Sequence, residues 1–211
     1  MSRVPETVVA VAMPLAWSNW VLPGLGLGVR GRTAANAGFA TAYAVAFRGE
    51  PKWWSAKGFR YGAVSAALVA AGYGVALAIP SLRKGLREFI DRGPEVDAAE
   101  WIVVHIPIGT VYGEEMIFRA TLEPLLDNVF GSRVGSVFGA LIFGLWHVHP
   151  ARAAGDSVPV AVAATAAGGF ALGWLRRRTG SITAPAMLHL ATNAGGAVAP
   201  RLARLLGTAE K

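Results

Sequence analysis

Residues 113–126 read GEEMIFRATLEPLL and place four charges, Glu114, Glu115, Arg119 and Glu123, at the end of an apolar run that spans 99–124. A run of that length is what a membrane-crossing helix needs, about 20 residues. A lone charge near the hydrocarbon centre costs at least ~2.5–3.5 kcal/mol on insertion scales, so each of the four needs a reason. At ~100° per residue, Glu115, Arg119 and Glu123 form an i, i+4, i+8 row in which one guanidinium bridges two carboxylates. Glu114 stands about 100° round from that row and has no partner at i±3 or i±4. An unpaired carboxylate inside a membrane points to function.

The rest of the chain sets the same context. Of its 211 residues 54% are hydrophobic and only 16% charged, and the mean hydropathy of +0.44 is above what soluble domains show. Apolar runs at 7–29, 33–47, 61–80, 99–124, 131–149, 157–175 and 181–199 predict an all-α polytopic membrane bundle of about six to eight transmembrane or re-entrant helices. We expect a single integral membrane domain over 1–211 with its motif-bearing core at about 99–199. Pro14 and Pro23 predict a broken or re-entrant first segment, and the run at 33–47 is short for a crossing. Trp53, Trp54, Trp101 and Trp174 fall at segment edges, where indoles prefer the headgroup layer.

The net charge of +7 is spread in short basic clusters between apolar runs. That pattern fits loops facing anionic lipid and gives no reason to expect a nucleic-acid partner. The run Arg176, Arg177, Arg178 is the best single cytoplasmic marker. In the 81–92 stretch, Leu82, Leu86 and Ile90 recur at helical spacing among Arg83, Lys84, Arg87 and Arg92, as in a helix lying on the membrane surface, with a solvated linker as the alternative. The chain has no cysteine, which excludes disulfides and thiolate chemistry, so any metal would be held by His, Asp or Glu.

Two further segments carry polar groups that could meet Glu114. FGLWHVHP holds Phe143 and His147 four apart, and PAMLHLATNAGG holds His189 and Asn193 four apart. Gly131, Gly135 and Gly139 form a small-xxx-small series ahead of His147, and Gly196 shares a face with His189 and Asn193, so both segments can approach a neighbour closely. Singly, each of these features is commonly structural: a helix ion pair, an interfacial histidine, helix-to-helix glue. Their joint occurrence in the last four apolar segments is what points to a site.

Read together, Glu114-Glu115-Met-Ile-Phe-Arg119, Phe143-Gly-Leu-Trp-His147 and His189-Leu-Ala-Thr-Asn193 resemble the EExxxR, FxxxH and HxxxN/D motifs of the CPBP intramembrane proteases, also called the CAAX protease and bacteriocin-processing, or Abi, family. The resemblance covers about 110–196, with GSITAPAMLH similar to the family's approach to its last histidine. It implies an intramembrane endopeptidase acting on a membrane-associated peptide or protein substrate in the lipid bilayer. The implied catalytic residues are Glu114, His147, His189 and Asn193, with Glu115, Arg119 and Phe143 supporting them.

Two versions of the chemistry fit that set. Glu114 takes a proton from a water held between it and His147 while His189 and Asn193 stabilise the oxyanion. Alternatively His147, His189 and Glu114 bind zinc, and the metal activates the water. The first is favoured, because the third zinc ligand would be the carboxylate needed as base; His105 and His149 are further candidate ligands. From other classes, intramembrane Glu and His also suit a proton- or ion-coupled transporter, against which stands the lack of two matching halves, and a non-catalytic scaffold or immunity protein would keep the same fold. The Ala/Gly/Arg-rich composition points to a bacterial cell membrane.

Overall fold

The computed structural model describes residues 4–90, 93 and 95–208, and these are helical nearly throughout. Helix α1 (Val4–Ala16) passes into a π-helical turn, Trp17–Val21, and ends at Leu22–Gly24. The π turn follows Pro14, which lacks the N–H an unbroken ladder requires. Then come α2 (Val29–Ala46), α3 (Ala56–Ala78) and the short α4 (Pro80–Arg87). Helix α5 begins at Ala98–Glu100 and continues as two π-helical stretches, Trp101–Tyr112 and Glu115–Leu122, directly into α6 (Glu123–Trp146). The bundle closes with α7 (Val148–Ala153), α8 (Val158–Thr179) and α9 (Thr183–Thr208).

This is a helical membrane bundle. By length and composition, Ala56–Ala78, Ala98–Ala153 and Val158–Thr179 can each cross a membrane. The middle span is two helices in space, because Gly131 adopts φ 77°, ψ 157° and breaks α6. Gly131 therefore makes the turn between the EExxxR and FxxxH segments instead of continuing the small-residue packing series. A left-handed φ of this kind is one that glycine tolerates and side-chain-bearing residues resist. After the turn, Gly135 and Gly139 press back against the first half of the same helix, where an added Cβ would meet the Asp127 backbone at 2.9 Å and Glu123 Cγ at 3.0 Å.

Packing elsewhere also uses small residues, as bilayer helices do when no hydrophobic drive separates them from lipid. Helix α6 meets α8 where Gly144 faces the Val162 carbonyl and Gly169 faces Phe143. Helix α9 meets α3 at Gly62 against Met187 and at Gly195 against the Tyr73 ring, while the Tyr73 hydroxyl donates to the Thr192 carbonyl at 3.0 Å. The close contact therefore centres on Gly195, with Gly196 beside it. Large apolar side chains such as Leu68, Val160 and Phe170 remain exposed on the outer surface, the side that hydrocarbon covers.

Helix α4 packs on α9, with Arg87 Nε donating to the Ala203 carbonyl at 2.9 Å, and leaves Leu82 half exposed. That suits a helix at the membrane surface; Arg92 of the same stretch lies outside the described residues. The core gathers Met116, Ile117, Phe118, Leu122 and Leu126 from α5 and α6 with Phe143 and Trp146, so the charged stretch runs through the most buried part of the molecule.

Candidate active site

The two π-helical stretches give α5 a wider turn than an α-helix, closing i→i+5 contacts and rotating successive side chains by less than the usual ~100°. Thr121 Oγ1 donates to the Met116 carbonyl, five residues back. The neighbouring side chains of Glu114 and Glu115 consequently turn toward the same partner. That partner is His189 on α9: its Nδ1 lies 2.9 Å from Glu115 Oε1, and its Nε2 lies 3.6 Å from Glu114 Oε2. All three are buried. Since a carboxylate can only accept, Nδ1 carries the proton it shares with Glu115, and Nε2 is the ring atom presented to Glu114.

Trp146 completes the surroundings of Glu114, its indole N–H donating to Oε1 at 3.2 Å. The other oxygen, Oε2, is buried without a hydrogen-bond partner. Buried acceptors are nearly always bonded, so such an atom marks a place for water or substrate.

Glu115, Arg119 and Glu123 form the row expected from their spacing. Arg119 Nε is 3.8 Å from Glu115 Oε2 and 3.5 Å from Glu123 Oε1, and none of the three exceeds 2% side-chain exposure. The guanidinium also lies 4.4 Å from the centroid of the Phe143 ring, a cation–π contact that desolvation strengthens, and donates to the Gly169 carbonyl at 3.4 Å. Arg177 of α8 joins at 3.3 Å from Glu123 and holds Asp127 bidentately at 2.9 and 3.0 Å. The buried carboxylates of Glu114, Glu115 and Glu123 thus share the Arg119 and Arg177 guanidinium groups and the His189 imidazole, which tethers α5 and α6 to α8 and α9.

Phe143 stands between the two histidines, with ring centroids 4.9 Å from His147 and 6.2 Å from His189. His147 is half-buried at the end of α6, and its Nδ1–H donates to the Phe143 carbonyl at 2.7 Å. That bond fixes the tautomer and leaves Nε2 with its lone pair free. No hydrogen bond joins His147 to Glu114 or His189 among the described residues. Asn193 is half-buried and its amide donates to the carbonyl of His189 at 3.1 Å, one turn back on its own helix. The structure therefore brings Glu114, Glu115 and His189 into contact, sets Arg119 and Phe143 around them, and places His147 and Asn193 at the rim.

Several supporting residues have no sequence signature. Ser18 donates to the Trp146 carbonyl at 2.7 Å, and Asn19 donates to the Leu145 carbonyl at 3.1 Å while accepting from the His149 N–H at 2.8 Å. These two residues satisfy the carbonyls that the end of α6 leaves without helical partners, and so hold Trp146 and His147 in place. Asn36 bonds Trp17 at 2.9 Å and the Gly109 carbonyl, bracing the first π-helical stretch of α5.

A zinc ion does not fit the residues as arranged: the described residues contain no group of three His, Asp or Glu side chains able to hold a metal. His105 is committed to Thr33 at 2.8 Å and Glu100 at 3.1 Å.

The three motifs fall together in one segment that resembles a CAAX-type protease family. Residues 97–195 match the family described as Rce1-like, type II CAAX prenyl endopeptidase Rce1-like, and this segment contains all three motifs, in agreement with the CPBP resemblance. No curated protein and no solved structure matches the chain.

Proposed function

We propose that the protein is an intramembrane endopeptidase in which Glu114 activates water against a peptide bond of a membrane-associated substrate. The observation that carries this reading is the buried Glu114 Oε2, unpartnered and 3.6 Å from His189 Nε2. A water bonded to both atoms has its proton taken by Glu114 while its oxygen attacks the peptide carbonyl carbon. The oxyanion so formed is stabilised by a donor at the rim, for which the second N–H of the Asn193 amide is the candidate, while His147, whose Nε2 lone pair accepts, positions the substrate through a hydrogen bond from it. Collapse of the tetrahedral intermediate breaks the C–N bond, and Glu114 returns its proton to the leaving amine.

Trp146 orients Glu114 through Oε1 and keeps Oε2 free for the water. Glu115 fixes the tautomer and direction of His189, in the way a carboxylate orients a catalytic imidazole. Arg119 and Phe143 hold Glu115 and the two histidines at their spacing. The substrate reading is a membrane-associated peptide or protein; an Ala/Gly/Arg-rich chain of this kind suits a bacterial cell membrane, where substrates other than prenylated CaaX tails are expected.

The test is comparative peptidomics of cells carrying the wild-type protein or Glu114→Gln, which keeps the shape of the carboxylate and removes the base. We expect defined cleavage products to vanish, and their precursors to accumulate, with the variant present in the membrane at wild-type level. Identical peptide profiles from the two strains would refute the proposal.

A further inference from the structure

A second polar site lies away from Glu114, where loop 47–55 meets α6, α8 and the turn before α9. The loop is pinned there by bonds from the Glu50 N–H to the Ala120 carbonyl at 2.9 Å, from the Ile182 N–H to the Lys52 carbonyl at 3.0 Å, and from the Thr183 hydroxyl to the Trp53 carbonyl at 2.8 Å. The loop roofs a cavity of about 580 Å³ lined by Arg48, Lys52, Arg119, Arg176 and Arg177, against which stand Glu6 and Glu50. Arg119, Arg176 and Arg177 are paired with Glu115, Glu123 and Asp127 and Lys52 lies 3.7 Å from Glu50, which leaves Arg48 as the wall's cation without an ion partner among the described residues.

Two of those cations are unusual. Arg48 follows the end of α2 with φ 55°, a left-handed position that glycine normally takes after a helix. The Gly49 N–H closes the helix end on the Ala44 carbonyl at 2.7 Å, so the cap needs only the Arg48 backbone; its guanidinium is exposed and has no partner among the described residues. Arg119 is fully buried, yet its Nη1 has no hydrogen-bond partner. Buried guanidinium N–H groups are seldom left unbonded, and this one belongs to a side chain on the cavity wall.

Beside the cavity runs an apolar groove of about 490 Å³ between α1 and α6, lined by Val8, Val11, Leu126, Phe130 and Phe138 among others. The two linings adjoin along α1 and α6, since Glu6 and Leu125 line the cavity while the next residues, Thr7 and Leu126, line the groove. A polar chamber that holds an unpaired cation, next to an apolar channel, matches an amphiphile with an anionic head. The face that bears Arg176, Arg177 and Arg178 is also the one that basic residues mark as meeting anionic lipid.

We propose that the cavity and groove together bind an anionic phospholipid, with its phosphate at Arg48 and Lys52 and an acyl chain between α1 and α6. The phosphate supplies acceptors to the Arg48 guanidinium, which the described residues leave unbonded, and the groove gives the chain a path between α1 and α6. Arg119 lines this site and also contacts Glu115, so the bound head lies one residue from the carboxylate that holds His189.

The test is native mass spectrometry of the full chain released from detergent micelles containing phosphatidylglycerol and phosphatidylcholine of identical chain length. We expect phosphatidylglycerol to be retained in preference, and Arg48→Gln with Lys52→Gln to lower that preference roughly fivefold per cation removed without changing the unfolding temperature. Val11→Trp, which fills the groove, should weaken retention of long-chain phosphatidylglycerol while leaving binding of soluble glycerol phosphate unaltered. Equal retention of the two lipids, or a preference unaffected by the double variant, overturns the proposal. Displacement of the lipid by glycerol phosphate at equal concentration identifies a free-anion site and overturns the lipid assignment. None of these readouts depends on proteolysis.

Discussion

Removing the guanidinium of Arg119 tests how the buried charges are held. In Arg119→Ala, Glu115 and Glu123 lose the cation that lies 3.8 and 3.5 Å from them, Phe143 loses the charge stacked at 4.4 Å, and the Gly169 carbonyl loses its donor. Breaking a buried pair from one side costs about 3–5 kcal/mol, because the remaining charge stays desolvated. The residual contacts favour the lower half of that range. Glu123 keeps Arg177 at 3.3 Å, and Glu115 keeps His189 at 2.9 Å. The lost cation–π contact adds on the order of 1–2 kcal/mol, for a total of ~5 kcal/mol. At roughly 2–4 °C per kcal/mol for a chain of this size, the unfolding midpoint in detergent should fall by about 15 °C. Arg119→Lys keeps a charge but cannot reach both carboxylates and Gly169, so it should lie between Ala and wild type. Scanning fluorimetry of the purified variants reads the shift. An unchanged midpoint in Arg119→Ala would refute the structural role and move Arg119 into the chemistry.

Further outcomes follow from the same geometry. Gly144→Ala drives a methyl to 2.7 Å from the Val162 carbonyl, a backbone atom that cannot rotate away, and should cost ~1–3 kcal/mol of stability, measured by the same thermal scan. His147→Ala removes a half-exposed ring bonded only to its own helix, so cleavage should drop by ~100-fold as for a lost substrate-positioning contact while the melting temperature holds. His189→Ala, which leaves Glu115 and Glu114 without their imidazole, should lower both. Activity should survive dialysis against a strong chelator; loss on chelation and return with zinc would assign His147 or His189 to a metal instead.

Much of the architecture is legible in the sequence because bilayer physics is local: seven apolar runs correspond to helices, and the i, i+4, i+8 spacing of Glu115, Arg119 and Glu123 places them in one buried row. What was not legible depends on distance in the chain or on departures from α-helical pitch. Glu114 looks unpartnered within its own helix, yet it meets Trp146 and His189 from two others. Glu115 looks committed to Arg119 alone, but the π-helical turn directs it to a histidine 74 residues away. Gly131 falls in step with Gly135 and Gly139, and only its φ of 77° shows that it turns the chain. Ser18 and Asn19 are ordinary polar residues until the end of α6 arrives beside them. The i, i+4 patterns report one face of a regular helix, whereas this site is assembled by irregular turns and tertiary contacts.

Hydrolysis by a water that Glu114 activates is tested by incubating membranes that contain the protein in heavy-oxygen water and mapping new peptide C-termini by mass spectrometry. One heavy oxygen is expected in each newly formed carboxylate with the wild-type protein, and none of those termini with Glu114→Gln at equal protein level. New termini that form at the wild-type rate in Glu114→Gln membranes would contradict it.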